Sequence, residues 1–159
     1  MTTKQQLIDG FELIIREGLR TTGDFSPDDW NVVVHDDEGG WNRKQIFCHV
    51  TATAEATPGL FGVLVNAPEG QDAGAAFDIG AFNAQAVAER ENMPTEELRA
   101  KFKAAFENLI EFTRTVPDEQ LGQRRKFGAL EADVGDMMSS LLVLHSLGHI
   151  YLSSIRAFV

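Results

Sequence analysis

This chain predicts an all-α protein, a four-helix bundle with long loop connections spanning residues 1–159 as one domain, and three observations predict it. Four long segments repeat apolar residues at i, i+3, i+4 and i+7, the spacing that puts them on one helix face. Stretches rich in Gly, Pro and Asp separate those segments and punctuate them as connections. A length of 159 residues with 43% hydrophobic side chains is enough to bury one core of ordinary size.

The first helix carries Leu7, Ile8, Phe11, Ile14, Ile15, Gly18 and Leu19 on its apolar face, and Thr3 with Gln6 forms its capping box. It ends in the polar run from Thr22 to Asp29. A connection of roughly twenty residues reaches Trp41, with a β-like run Val32-Val33-Val34 and a turn at Glu38-Gly39-Gly40, and a loop that long is expected to pack over something. The second helix starts at Asn42, a good N-cap with Gln45 in the reciprocal position and Trp41 and Ile46 spaced as a hydrophobic staple. Its face is Ile46, His49, Val50, Thr53, Ala54 and Thr57, and Pro58 is expected to kink or break it before Leu60. Residues 66–80 are expected to form a loop and 81–90 a short helix. A third long helix opens near Thr95, where Glu96 and Glu97 complement the macrodipole, and buries Leu98, Phe102, Ala105, Leu109, Phe112 and Val116 before Pro117 stops it. A loop carrying Arg124-Arg125-Lys126 leads to the last helix near Asp133, whose inward face is expected to be Val134, Met138, Leu141, His145, His149, Leu152 and Ile155.

Composition excludes several classes of function. With 14 basic against 24 acidic residues the formal net charge is -10, and the basic residues are scattered, so a phosphate-binding surface and a nucleic-acid partner are not expected. One cysteine, Cys48, cannot form an internal disulfide and fits a reducing compartment. The N-terminus lacks an apolar signal core and no run of 18 apolar residues occurs, so the expectation is a soluble cytoplasmic protein with no membrane partner.

Within this frame the histidines stand out. His145 and His149 are spaced i, i+4, so both imidazoles leave one helix face about a turn apart, and His49 lies on the apolar face of the second helix. At 1.5 Å per residue His49 sits ~10 Å from the start of its helix, while the midpoint of His145 and His149 lies ~16 Å from the end of theirs and ~21 Å from its start. Antiparallel helices would bring them to one level within roughly a turn. Three neutral imidazoles suit zinc, nickel, iron or another divalent first-row ion and leave a coordination position open for water or substrate. The competing reading is of core-edge histidines satisfied by backbone carbonyls or waters; periodicity alone leaves both readings open.

Here the sequence resembles a family. The stretch Trp41-Asn42-Arg43-Lys44-Gln45-Ile46-Phe47-Cys48-His49-Val50 is similar to the start of the second helix in the DinB-like superfamily of four-helix bundles, and Val143 to Arg156, with its two histidines and closing arginine, is similar to that superfamily's last helix. Phe82-Asn83 ahead of Val87 and Arg90, Pro94-Thr95-Glu96-Glu97-Leu98, and Val134-Gly135-Asp136-Met137 recur between them in the same order. The resemblance implies an up-down-down-up bundle whose ligands to a divalent metal, zinc or nickel foremost, are His49, His145 and His149. It further implies a thiol-dependent transferase or isomerase that activates a low-molecular-weight thiol such as mycothiol or bacillithiol towards a small-molecule substrate. The Asn83 and Arg90 region resembles the branch of mycothiol-dependent maleylpyruvate isomerase and of small single-domain bundles. Because the sequence ends at Val159, right after the last helix, that isomerisation itself is not the expected reaction. Metal-dependent hydrolysis and non-catalytic binding or sequestration of a small molecule are the alternatives, and a homodimer paired through a helix face is compatible with such a bundle.

Other residues have sharp and plain readings. Cys48 adjoins His49, but helix neighbours diverge by about 100°, so a packed thiol is expected rather than a ligand. His35, among Asp36, Asp37 and Glu38, is expected to be solvated. Asn83 is a candidate for the substrate pocket, with a capping or surface role as the alternative. Arg156, seven residues beyond His149 on the same face, would bind a substrate carboxylate or an acidic neighbour. The Arg124-Arg125-Lys126 run is expected to be a solvated loop.

Overall fold

The computed structural model describes residues 2–35 and 40–154. Helix α1 (Lys4–Gly23) begins at the capping box expected of Thr3 and Gln6 and buries Leu7, Ile8, Phe11, Ile14 and Gly18. The connection that follows contains a 3-10 turn (Asp29–Asn31) and a short antiparallel pair of β1 (Val33–His35) and β2 (Trp41–Asn42). It packs inward as its length suggested. Trp30 is buried edge-on against Phe25 and Phe47, at ring separations of 5.3 and 5.6 Å.

Helix α2 (Arg43–Asn66) starts at the Asn42–Gln45 capping box and runs without interruption through Pro58. The expected break is therefore absent. Proline inside a helix costs about 3 kcal/mol, but both halves of α2 bury side chains in one core, Val50 and Ala54 before the proline and Phe61 and Leu64 after it. Packing of that extent outweighs a single local penalty.

Asp78 caps α3 (Ile79–Ala88) by accepting from the Ala81 amide, and α4 (Thr95–Thr115) buries Leu98, Phe102, Ala105, Phe106, Leu109 and Ile110. A single turn, α5 (Asp118–Leu121), precedes an antiparallel hairpin of β3 (Arg124–Phe127) and β4 (Leu130–Asp133). Gly128, at φ 59°, occupies the left-handed position of its two-residue turn. The basic triplet is thus a strand rather than a solvated loop. Arg125 also reaches back to the last turn of α2, where its guanidinium donates at 3.0 Å to the Leu64 carbonyl, which also accepts from the Ala67 amide at 3.3 Å, and at 3.2 Å to the Val65 carbonyl.

The last helix is a composite of α6 (Val134–Met138), a π-helical segment at Ser139–Leu144, and α7 (His145–Ser154). In the main contacts α1 packs on α4 and on the composite helix, and α2 packs on α4 and on α7, so the four rods follow each other around one core. That core centres on Phe102, whose ring lies 4.4 Å from Phe47 and 5.0 Å from Phe106. Among the described residues no helix is long and apolar enough to cross a membrane.

Candidate metal centre

The π-helical segment corrects the expected inward face of the last helix. A wider turn makes burial step by five residues from Met138 to Val143, and the buried stripe continues through Ser146, Ile150 and Ser153. Leu141 is only half-buried, His145 and Leu152 are exposed, and Ile155 lies outside the described residues. His145 thereby leaves the core stripe, while His149, one turn on, stays buried.

His49 comes from the second turn of α2, and the three imidazoles converge. Ring centroids are 5.2 Å apart for His49 and His145, 5.2 Å for His49 and His149, and 4.4 Å for His145 and His149. One nitrogen from each ring can be chosen so that all lie within 4.8 Å of one another. The Nε2 atoms of His49 and His145 are 2.9 Å apart. Trp41 closes one side, with its ring 5.2 Å from that of His49.

Electrostatics favour neutral rings. Burial, and then the neighbouring His145, push the His49 pKa down to about 4, against a smaller upward pull from the Asn83 carboxamide. At neutral pH His49 therefore offers a lone pair rather than a charge. Its Nδ1 and the Asn83 Oδ1 are both buried without a full hydrogen bond, although the carboxamide still acts on the ring. Asn83 and His49 both line one cavity, and an outer partner for a metal-bound imidazole is the role Asn83 would fill if its carboxamide closed on Nδ1.

The donor set fits a divalent first-row ion. Imidazole nitrogens held ~2.0–2.1 Å from zinc in a tetrahedral site lie about 3.3 Å apart, between the 2.9 Å of His49 and His145 and the 4.8 Å within which all three nitrogens fall. With protein atoms alone, two Nε2 atoms at 2.9 Å must share one proton, whereas a cation between them would use both lone pairs. Of the competing reading, backbone carbonyls or waters, the carbonyl part finds no support at His49 Nδ1, which no described backbone carbonyl meets.

A scan of family models matches residues 11–143 to the mycothiol maleylpyruvate isomerase N-terminal domain. The chain belongs to that family, and so to the DinB-like superfamily. No curated protein and no solved structure matches it. Within this DinB-like chain the match covers His49 and Asn83 and ends two residues before His145, so the convergence of His145 and His149 on them rests on the geometry.

Beside the histidines the domain holds an open cavity of about 570 Å³, within the ordinary range for small-molecule sites. His49, His145 and Asn83 contribute to its wall, together with Leu60, Val63, Phe77, Ile79, Phe82 and Phe127. Much of this wall lies in segments expected to be loops. Asp72 fastens the 66–78 segment to the β3–β4 turn by accepting from the Gly74 and Gly128 amides, both at 2.8 Å, and those amides hold its carboxyl below its ordinary pKa. The Ala73 amide donates to the Lys126 carbonyl at 2.9 Å, and Phe77 then meets Phe82 and Phe127 at 5.5 and 5.7 Å. Asp72 two residues before Gly74 was the sequence signal for a side chain turning back onto the backbone; nothing local named its second partner.

Cys48 is packed in the core, where burial pushes its thiol up to about 11, and it is not part of the histidine group. Arg156 and the side chain of His35 lie outside the described residues.

Proposed function

We propose that this single DinB-like domain, an up-down-down-up bundle, binds a divalent ion, zinc or nickel foremost, on His49, His145 and His149, and acts as a thiol-dependent S-transferase or isomerase-like enzyme. The observation that carries the reading is the convergence of three imidazoles around a buried, neutral His49. When bound, the ion would supply Lewis acidity that lowers the pKa of a low-molecular-weight thiol, mycothiol or bacillithiol, so that thiolate forms near neutral pH. Family membership supports mycothiol as the first thiol to test.

The chain's own groups do the rest. Asn83 lines the cavity, where it is a candidate substrate contact, and Arg156 is a candidate carboxylate contact. Exposed His145 leaves the site open towards the cavity, and the apolar wall excludes water from a bound reactant. Among the described residues no Asp, Glu, Lys, Cys or Tyr lines the cavity, which agrees with a reading that needs no protein nucleophile. The same lack favours a second reading, non-catalytic binding or sequestration of a small molecule, ahead of metal-dependent hydrolysis. The proposal includes a cytoplasmic protein, a small-molecule substrate and a homodimer. Alkylation of mycothiol by a model electrophile should accelerate with metal-loaded protein and return to the uncatalysed rate with the His145→Ala variant; equal rates would refute the transferase reading.

A further inference from the structure

We infer that the molecule held in the cavity beside the histidines is uncharged and predominantly apolar, not a dicarboxylate. The inference rests on the functional reading above in taking this cavity as the working site and departs from it in giving Arg156 no substrate carboxylate to bind; what it adds is the chemistry of the occupant. Among the described residues, none that lines the cavity is Asp, Glu, Lys or Arg. Two lining hydroxyls have already given their one proton, Thr53 to the His49 carbonyl at 2.9 Å and Thr57 to the Thr53 carbonyl at 2.7 Å, so towards a ligand they can only accept. Outside the histidine group, the described wall therefore offers an anionic ligand one side-chain donor, the Asn83 carboxamide.

Three described cations of the neighbouring elements are engaged elsewhere. Arg90 is paired with Glu55 and Glu89, Lys101 with Glu55, and Arg125 with the α2 carbonyls. A carboxylate taken into the apolar part of the cavity would give up its hydration for no opposite charge, which costs several kcal/mol. An ion on the histidines could answer one anionic group at that end and leave a second one unanswered.

Size and entrance point the same way. The cavity, at about 570 Å³, is several times the ~150 Å³ that encloses one benzene. Its wall includes three large apolar side chains that water reaches, Val63 at 53%, Phe77 at 40% and Ile79 at 59% exposure, a costly arrangement that a passing apolar ligand makes useful. Because Asp72 pins the loop wall to the hairpin, the space is built rather than left by a stray segment. A bicyclic aromatic or a branched hydrocarbon body with one polar group for Asn83 fits this chemistry.

The test pairs two probes with nearly the same ring frame, neutral N-phenyl-1-naphthylamine and its sulfonated relative 8-anilino-1-naphthalenesulfonate, titrated by fluorescence into full-length protein both chelator-treated and metal-loaded. Saturable binding of one neutral probe per chain, at least about tenfold tighter than the sulfonate in the chelated protein, is expected. Val63→Asp and Ile79→Asp, both at water-exposed positions, should weaken the neutral probe at least about fivefold while leaving the melting temperature and metal content unchanged. Equal or tighter sulfonate binding, no saturable neutral binding, indifference to both aspartates, or a dimer whose formation excludes the probe would each overturn the inference. Metal content, read on the same samples, reports separately on the metal site, so failure of one reading is distinguishable from failure of the other.

Discussion

Two glycines in long helices should respond to the same substitution with opposite signs. Replacing a helical glycine by alanine gains about 1 kcal/mol in backbone propensity wherever the new methyl has room. At Gly148, on α7 between the two C-terminal histidines, a Cβ meets nothing within 4 Å, so Gly148→Ala should gain that full amount. At Gly18, on α1, the same atom would lie 2.6 and 2.7 Å from Phe102 Cζ and Cε1 and 3.4 Å from Ile150 Cδ1. Phe102 cannot yield cheaply, because it is fully buried and wedged between Phe47 and Phe106. Overpacking of this kind costs about 3 kcal/mol, which leaves Gly18→Ala near 2 kcal/mol destabilised after the propensity gain. In a chain of this size 1 kcal/mol moves the midpoint by about 2–4 °C, so calorimetry should find Gly148→Ala about 2–4 °C higher and Gly18→Ala about 4–8 °C lower. A Gly18→Ala protein as stable as the parent would refute the close packing of α1 on α4, and a destabilised Gly148→Ala would mean that α7 has a neighbour at that face.

Three further outcomes follow from the structure. Arg125→Met should cost about 1–2 kcal/mol and speed amide exchange at the end of α2, because it removes a charged donor from the Val65 carbonyl and leaves the Leu64 carbonyl only the Ala67 amide; unchanged exchange there would contradict the capping role. The Cys48 thiol, pushed up to about 11 by burial, should resist iodoacetamide at pH 8 in the folded protein and react only on unfolding, whereas fast labelling of the native state would contradict its packing. Burial raises the pKa of Glu55, but hydrogen bonds from Lys101 and Arg90 outweigh it and hold the carboxyl below 4.5. Its contribution is then present above the unfolded value and lost as pH falls through the folded one. Glu55→Gln should accordingly cost about 0.5–1 kcal/mol at pH 7, and a cost persisting undiminished near pH 2 in denaturant titrations would refute the ionic origin.

What the sequence disclosed depended on how local the cause was. Both capping boxes, Thr3 with Gln6 and Asn42 with Gln45, appear as written because each is a pattern of four residues. The histidine group was also legible, since i, i+4 spacing on one helix and an apolar-face position on another are periodic signals. The π-helical segment was not: Leu141 and Leu142 are equally apolar, and the choice to bury Leu142 with Val143 is made by packing across the bundle. Helix α2 continues through Pro58 for the same reason, a tertiary gain that overrides a local penalty. The β3–β4 hairpin hid behind the charges of Arg124, Arg125 and Lys126, and two of its anchors, Leu64 and Asp72, lie more than fifty residues away in the chain. The cavity wall depends on those anchors, which is why the histidine group could be inferred before the pocket beside it.

The central claim is that His49, His145 and His149 hold one divalent ion. Elemental analysis of untagged protein, beside a variant with all three histidines replaced by alanine, tests it most directly. Near-stoichiometric zinc or nickel in the parent, absent from a variant that still folds, is the predicted result. A parent that carries no metal after reloading, or a variant that retains it, would contradict the claim.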